Sequence, residues 1–409
     1  IIAKDTRLSG YLLEPALTAG FISVGVDVIL VGPVPSSGVS NLTKSLRCNL
    51  GVMLSASHNS FEDNGIKLFT SDGLKLSDDM EAEIEILLSG STEKFKVASN
   101  DLGRAERLDD GTGVVRYIEF VKNSFPDNIS LSGLKIVLDC SNGAAYKVAP
   151  RIFNELGASI IPIGVSPDGK NINSKCGSQY PEKMMELVKQ ERADFGLALD
   201  GDADRIICCD EKGNIIDGDQ ILAVIANRWK RKGLLNGKNI VATTMSNTGL
   251  ENYLQGLGLD LVRTQVGDRY VAQKMLELDS NLGGEQSGHI ILGSYSYTGD
   301  GVLVALQLLA EIVEQDSCAS IVLNKFKPIP QVIRNVSVSS KQDFIKAMQS
   351  KSVKKIINHA EYVLKGKGRV NIRMSGTEAL IRIMIEGESD TEINSIANQI
   401  EREIVENIF

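Results

Sequence analysis

Three stretches of the chain repeat one order of apolar and polar positions. Residues 1–3 are apolar, Ser9 and Gly10 make a polar turn, and a helix-like run to about residue 25 leads into an apolar strand at 26–31. Residues 134–138 lead through Cys140, Ser141, Asn142 and Gly143 to a helix at 146–156 and a strand at 159–163. Residues 238–242 lead through Met245, Ser246, Asn247, Thr248 and Gly249 to a helix at 250–257 and a strand at 260–263. Short apolar runs bounded by turn residues are strand signals, and strand, turn, helix, strand is the order of a βαβ unit on a mostly parallel sheet. The tail differs. Residues 369–374 and 380–386 read as strands around Ser375, Gly376, Thr377 and Glu378, and 390–408 puts Ile393, Ile396, Ala397, Ile400 and Ile404 on one helical face. The expected fold class is α/β, with three related mixed α/β domains on mostly parallel sheets and a smaller C-terminal α+β domain. The polar stretch 99–112 and the proline-bearing 326–330 read as linkers.

Composition narrows the classes without choosing a function. A length of 409 residues allows about three domains at roughly 150 residues each. The net charge of −8 and pI near 5.2 exclude a broad basic surface for nucleic acid. Three histidines are too few for a histidine-built metal cluster. Six scattered cysteines with no CxxC pair read as reduced thiols, and no apolar run nears the ~18 residues of a membrane span. With no signal peptide in view, a cytoplasmic protein is expected. The first residues look like the inside of a strand and lack an initiator Met, so the chain is expected to start after a missing N-terminal piece.

Four polar runs carry candidate chemistry. The apolar run 51–54 ends in Ser55, Ala56, Ser57, His58 and Asn59, with Lys67 ten residues beyond Ser57. A serine just past a strand end is presented on a loop, where α/β sheets place their sites; an ordinary turn would use the same residues. Asp200, Asp202 and Asp204 alternate between two apolar strands, at 195–199 and 206–209, and are followed by Arg205. Three oxygens at that spacing can converge on one hard cation. An EF-hand loop is excluded, because it needs glycine where Arg205 stands and helices where these flanks are β. Gly283, Gly284, Glu285, Gln286, Ser287, Gly288 and His289 form a glycine-rich turn whose Glu285 and Ser287 suit polyol hydroxyls, although a bare hairpin would look alike. Ser375, Gly376 and Thr377, flanked by Arg373 and Arg382, offer hydroxyls, N–H groups and guanidinium forks to a phosphate. Gly267, Asp268 and Arg269 either contact a substrate or cap the next helix. The four runs divide the chain at 1–108, 109–212, 213–327 and 328–409, each domain giving one loop to a central cleft.

In this order, over the whole chain, the motifs resemble the α-D-phosphohexomutase family. The residues that carry the resemblance are Ser55 to Asn59 with Asp63, Asn64, Gly65, Ile66 and Lys67, then Asp200 to Arg205, Gly284 to His289, and Arg373 to Glu378. The resemblance implies that Ser57 is phosphorylated and exchanges the phosphoryl group. It implies that Asp200, Asp202, Asp204 and an oxygen of phosphorylated Ser57 hold one Mg²⁺ per chain. His58, Lys67 and Arg205 complete the catalytic set, the last two neutralising the phosphoryl charge. Asp268, Arg269, Glu285, Ser287 and His289 would hold the sugar, and Arg373, Ser375, Gly376, Thr377 and Arg382 the phosphate not being transferred. The implied reaction is glucosamine 6-phosphate to glucosamine 1-phosphate through glucosamine 1,6-bisphosphate, feeding UDP-N-acetylglucosamine and cell-wall precursors. A glucose or mannose phosphate mutase of the same family, or a silent sugar-phosphate-binding protein, are the alternatives. The partner implied is a small phosphosugar, not nucleic acid or a membrane, with a homodimer left open. Ala203, Met374 and Ala379 stand where the family usually has other residues, and its N-terminal Gly-Thr-Asp-Gly-Ile-Arg-Gly segment is not present.

Overall fold

The computed structural model describes residues 1–90, 93–108, 111–374 and 379–408, without the side chain of Lys341. It contains three mixed sheets and a small antiparallel one. In the first, Ile2–Lys4 lies between Val28–Pro33 and Leu50–Leu54 with parallel pairing to both. In the second, Lys135–Asp139 is parallel to Ser159–Ile163 and to Phe195–Leu199. In the third, Asn239–Thr243 is parallel to Asp260–Thr264 and to Leu282–Gly284. The chain is thus a multi-domain α/β protein with a smaller C-terminal unit of Gln331–Ser337, Gly368–Met374 and Leu380–Gly387 packed on helices. Among the described residues no helix is long and apolar enough to cross a membrane.

One topological feature positions the site. In each mixed sheet a parallel strand turns back into an antiparallel neighbour: Leu50–Leu54 into Ile66–Thr70, Phe195–Leu199 into Ile206–Asp210, Leu282–Gly284 into Ile290–Leu292. The loops 55–65, 200–205 and 285–289 are therefore the same hairpin loop, made three times, at the carboxyl end of a parallel strand. That is where open α/β sheets leave a crevice between connections. Phe195–Leu199 is buried along its whole length, as an interior strand with both faces covered must be, and this explains its unbroken apolar sequence.

Two sequence expectations shift. The stretch 99–112 is not linker throughout, because Ala105–Arg107 pairs in parallel with Val28, Ile29 and Leu30 and closes the first sheet; three short, exposed residues give no apolar signal. Equally, the second and third units share their largest apolar cluster, each keeping a smaller one of its own around Val137 and Met184 or around Val241 and Met275. One apolar cluster runs from Tyr117 to Leu323, stitched by Gly218–Lys232 and Gly301–Glu314. The latter is buried from Gly301 through Ile312, so its sequence is apolar nearly all round instead of amphipathic. Its polar Gln307 accepts from Arg228 at 3.0 Å, and its Glu311 from Arg231 at 2.6 Å. Leu306 is fully buried in this shared core. Leu306→Ala should cost about 2–5 kcal/mol in urea unfolding, by lost transfer energy plus a cavity. A loss below about 1 kcal/mol would refute the shared core.

Candidate active site

Ser57 sits in the first hairpin loop with φ +51°, a left-handed conformation that costs a residue with a side chain about 1–2 kcal/mol. Its surroundings hold it there. Its N–H donates to Ser55 Oγ at 2.9 Å, and Ser55 donates to Asp5 at 2.7 Å. The buried Arg7, paired with Asp5 at 2.8 Å, donates to the carbonyls of Ser57 at 3.0 Å and Asn59 at 2.9 Å. From a turn of the second unit, Asn173 Nδ2 donates to the same two carbonyls at 2.8 and 2.9 Å. Ser57 Oγ is thereby aimed at the second hairpin loop, where it donates to Asp200 Oδ2 at 2.7 Å. His58 Nδ1 lies 3.3 Å from Ser57 Oγ. Burial, then the Arg205 charge, lowers the His58 pKa, favouring the neutral ring.

The loop 200–205 brings Asp200, Asp202 and Asp204 together in full burial, one oxygen of each within 4.8 Å of the others. Asp202 Oδ2 accepts from Lys67 at 2.5 Å and from the Ser36 hydroxyl, while Asp204 Oδ2 accepts from Lys67 at 2.8 Å. Burial first, then the charges of Asp204 and Asp202, push the Asp200 carboxyl well above the usual range. For Asp204 burial acts the same way, but the charges of Lys67 and then His289 overcome it and hold its pKa below the usual range. Asp202 Oδ1 and Asp204 Oδ1 are buried with no hydrogen-bond partner among the described residues. Unsatisfied buried carboxylate oxygens are costly, and a hard cation is the group that two such oxygens beside a third carboxylate suit. The donor set therefore fits a metal ion held by Asp200, Asp202 and Asp204.

Arg205 and the third hairpin loop adjoin this cluster. The Arg205 N–H donates to Asp200 Oδ1 at 3.0 Å, and its backbone bridges to His289. His289 Nε2 lies 3.2 Å from Asp268 and 3.8 Å from Asp204. Asp268 also pairs with Lys75; burial would raise its pKa, but Lys75 and then His289 hold it below the usual range. Glu285 is buried and accepts the Gly267 N–H at 3.0 Å, tying the loop to the helix Asp268–Glu277. Arg269 turns to Asp78 and Glu81 on the helix Asp78–Leu88. Ser287, the fifth sugar candidate, lies in the same loop and is exposed. In the last sheet Arg373 faces Arg382 directly across the ladder, an unfavourable pairing of like charges that an anion would relieve. Burial, then the Arg382 charge, lowers the Arg373 pKa, while the Glu285 charge opposes this, so this sheet faces the third loop. Ser375, Gly376 and Thr377 lie outside the described residues.

The sequence missed the groups that support this cluster. Ser36, first residue of the helix Ser36–Ser45, gives its N–H at 3.0 Å to the Asp202 carbonyl and its hydroxyl to the Asp202 carboxylate. Ser37 donates to Asp300 at 2.7 Å, and Tyr117 donates to Asp300 at 3.1 Å, joining three sheets at one buried carboxylate. Arg7, Asn173 and Lys75 were likewise unmarked. A buried Arg between apolar runs was the one readable hint, and the others have no local signature.

Comparison with known proteins places the chain. Residues 1–94, 115–213 and 217–329 match the phosphoglucomutase/phosphomannomutase alpha/beta/alpha domains I, II and III, and 334–403 match the C-terminal domain. The chain belongs to the phosphoglucomutase/phosphomannomutase family. It is 55% identical over 400 residues to a phosphoglucosamine mutase of Rhodospirillum rubrum, covering 98% of this chain and 88% of that one. The phosphoglucosamine mutase of Caulobacter vibrioides is 53% identical with the same coverage. A family protein of Burkholderia thailandensis shares the fold at TM-score 0.81 and 23% identity, over 99% of this chain and 88% of that one. Aspergillus fumigatus N-acetylphosphoglucosamine mutase, solved with GlcNAc-6P and magnesium, does so at TM-score 0.70 and 20% identity, over 91% and 93%.

The strained loop yields a two-way test at Ala203, where φ is +58° and the methyl is fully buried. Ala203→Gly relieves about 1–2 kcal/mol of backbone strain but loses a buried methyl worth about 0.8 kcal/mol and frees the unfolded chain by a similar amount. Its stability should stay within about 1 kcal/mol of the wild type, whereas Ala203→Val, β-branched in a left-handed position, should lose more than about 2 kcal/mol. Denaturant unfolding decides it, and equal stability of the valine variant would refute the strain.

Proposed function

We propose that this chain, as a phosphohexomutase, interconverts glucosamine 6-phosphate and glucosamine 1-phosphate, the activity named for its 53–55% identical relatives. The observation that carries the reading is Ser57 Oγ held 2.7 Å from a cluster of three buried carboxylates that Lys67 also touches. A nucleophile, a cation site and a fixed ammonium in one junction are what phosphoryl transfer requires, since its catalysis is mostly positioning and charge stabilisation.

Ser57 carries the phosphoryl group between turnovers. In the first transfer the bond between phosphorus and Ser57 Oγ breaks as the sugar hydroxyl oxygen bonds to phosphorus. The proton lost by the sugar hydroxyl balances the one gained by Ser57 Oγ, and neutral His58 stands where it can exchange that proton. The resulting 1,6-bisphosphate turns round, and its other phosphoryl group returns to Ser57 by the reverse exchange. Asp200, Asp202 and Asp204 would hold Mg²⁺, which when bound draws negative charge from the transferring group. Lys67 and Arg205 keep positive charge fixed beside the phosphoryl oxygens. Glu285, Ser287, His289, Asp268 and Arg269 bind and orient the sugar, and Arg373, Arg382, Ser375, Gly376 and Thr377 hold the distal phosphate. The four loops thus come from four domains divided near 108, 212 and 327, in a cytoplasmic enzyme.

Freshly purified protein should carry phosphate on Ser57 by peptide mass analysis. Ser57→Ala should lower turnover by roughly four orders of magnitude while the fold remains, as loss of a covalent nucleophile does. Turnover of glucosamine, glucose and mannose phosphates, each primed with its bisphosphate, should favour glucosamine. A glucose or mannose preference would reassign the substrate, and near-normal activity of Ser57→Ala would end the mechanism. Asp202→Asn should weaken Mg²⁺ binding by about 10–100-fold in calorimetry, and unchanged affinity would sink the metal assignment.

A further inference from the structure

Two NH₂ groups from different domains hold the same pair of carbonyl oxygens. Arg7 Nη2 and Asn173 Nδ2 each donate to Ser57 O and to Asn59 O, at 2.8 to 3.0 Å. Each NH₂ has two protons and each carbonyl two lone pairs, so the four groups satisfy one another. The two donors differ in what they are attached to. Arg7 follows the strand Ile2–Lys4 of the first sheet, the sheet that also carries the Ser57 loop. Asn173 belongs to the second unit, where its N–H donates to Ser141 O at 2.9 Å. There it sits against the carboxylate loop itself: a Cβ on Gly201 would lie 2.5 Å from Ser57 O and 2.8 Å from Asn173 Nδ2. The serine loop, the carboxylate loop and Asn173 meet where only glycine leaves room.

We infer that Asn173 is a positioning residue for phosphoryl transfer: its carboxamide, seated against the carboxylate loop, grips the Ser57 and Asn59 carbonyls and sets the register of Ser57 Oγ against Asp200. This rests on the reading of Ser57 as the phosphoryl carrier. Arg7 keeps the serine loop folded within its own domain, and Asn173 ties that loop to the neighbouring domain. The three carboxylates all lie on one loop of the second unit, so in the dephosphorylated protein, where Ser57 supplies no phosphoryl oxygen and in which the Mg²⁺ calorimetry is done, their hold on the cation does not run through this grip. The sugar loop makes no hydrogen bond to Asn173 among the described residues. Removing the carboxamide should therefore change the transfer rate and leave metal and substrate affinity alone, a division that general destabilisation would not produce.

The experiment measures the single-turnover rate of Ser57 phosphorylation by glucosamine 1,6-bisphosphate, with steady-state kcat and KM, Mg²⁺ affinity by calorimetry, and thermal melting. In Asn173→Ala the phosphorylation rate and kcat should fall together by about 100-fold, the effect of an ångström-scale misplacement. KM and the Mg²⁺ dissociation constant should stay within about twofold, since ground-state binding is retained. Asn173→Asp, which keeps the shape but replaces donors with acceptors, should fall at least as far; it and Asn173→Ser serve if the alanine variant does not fold. Wild-type rates in folded variants, or a loss shared by Mg²⁺ affinity and KM, would overturn the positioning role. A wild-type protein that takes no phosphate from the bisphosphate would instead overturn the reading of Ser57 itself.

Discussion

Three carboxylates buried on one six-residue loop are the constraint around which the molecule is built. On Asp200 burial and then the charges of Asp204 and Asp202 act in the same direction, against the ionised form. The compensation comes from other parts of the chain. Lys67 reaches in from the first sheet, Arg205 from the loop's own end, and Ser36 from the start of a helix. Asp200 keeps a carboxyl pushed above the usual range. With two unpartnered oxygens beside it, the cluster suits a cation.

The same demand explains why the domains are joined so closely here. Ser36 and Ser37 are neighbours on one helix, yet one donates to Asp202 of the second sheet and the other to Asp300 of the third unit. Asp300 also caps the helix Gly301–Glu314 by accepting the Leu303 N–H at 2.9 Å. Burial pushes its carboxyl up, and the N–H and the hydroxyls of Ser37 and Tyr117 counter this. These bonds make Asp300 a structural joint between units. The last unit is attached differently, by polar groups: Arg369 donates at 2.6 Å to both Thr244 O and Ser246 O, and the buried Glu386 accepts from Arg369 and Thr248. An apolar seam locks the second and third units, whereas a polar seam joins the fourth. Polar seams separate at lower cost, because water can replace their hydrogen bonds.

Much of this was legible in the chain. Apolar runs bounded by turn residues mark the strands near 135, 195 and 239, because buried parallel strands need continuous hydrophobic sequence, and the half-exposed edge strands near 159 and 260 follow from the repeated strand, turn, helix, strand order. Alternating acids point to the carboxylate loop, but a solvated acidic turn would carry the same residues, and only their burial in the fold decides between the two. Ala105–Arg107 was taken for linker because an exposed edge strand has no apolar face to reveal it. The common core of the second and third units was also hidden, since an all-round apolar helix does not say which domain it enters.

The sequence by itself determined the inventory: which residue types exist, on which loops, and at the ends of which strands. Those depend on spacings of a few residues, which local geometry converts directly into position. Tertiary structure alone decided the pairings, because they join residues far apart in the chain. Ser57 meets Asp200 across 143 positions, Lys67 meets Asp202 across 135, and Asn173 meets Ser57 across 116. Asn173 and Ser36 are ordinary turn and helix-start residues in sequence. Only the folding of two domains against each other turns an amide and a hydroxyl into parts of a site.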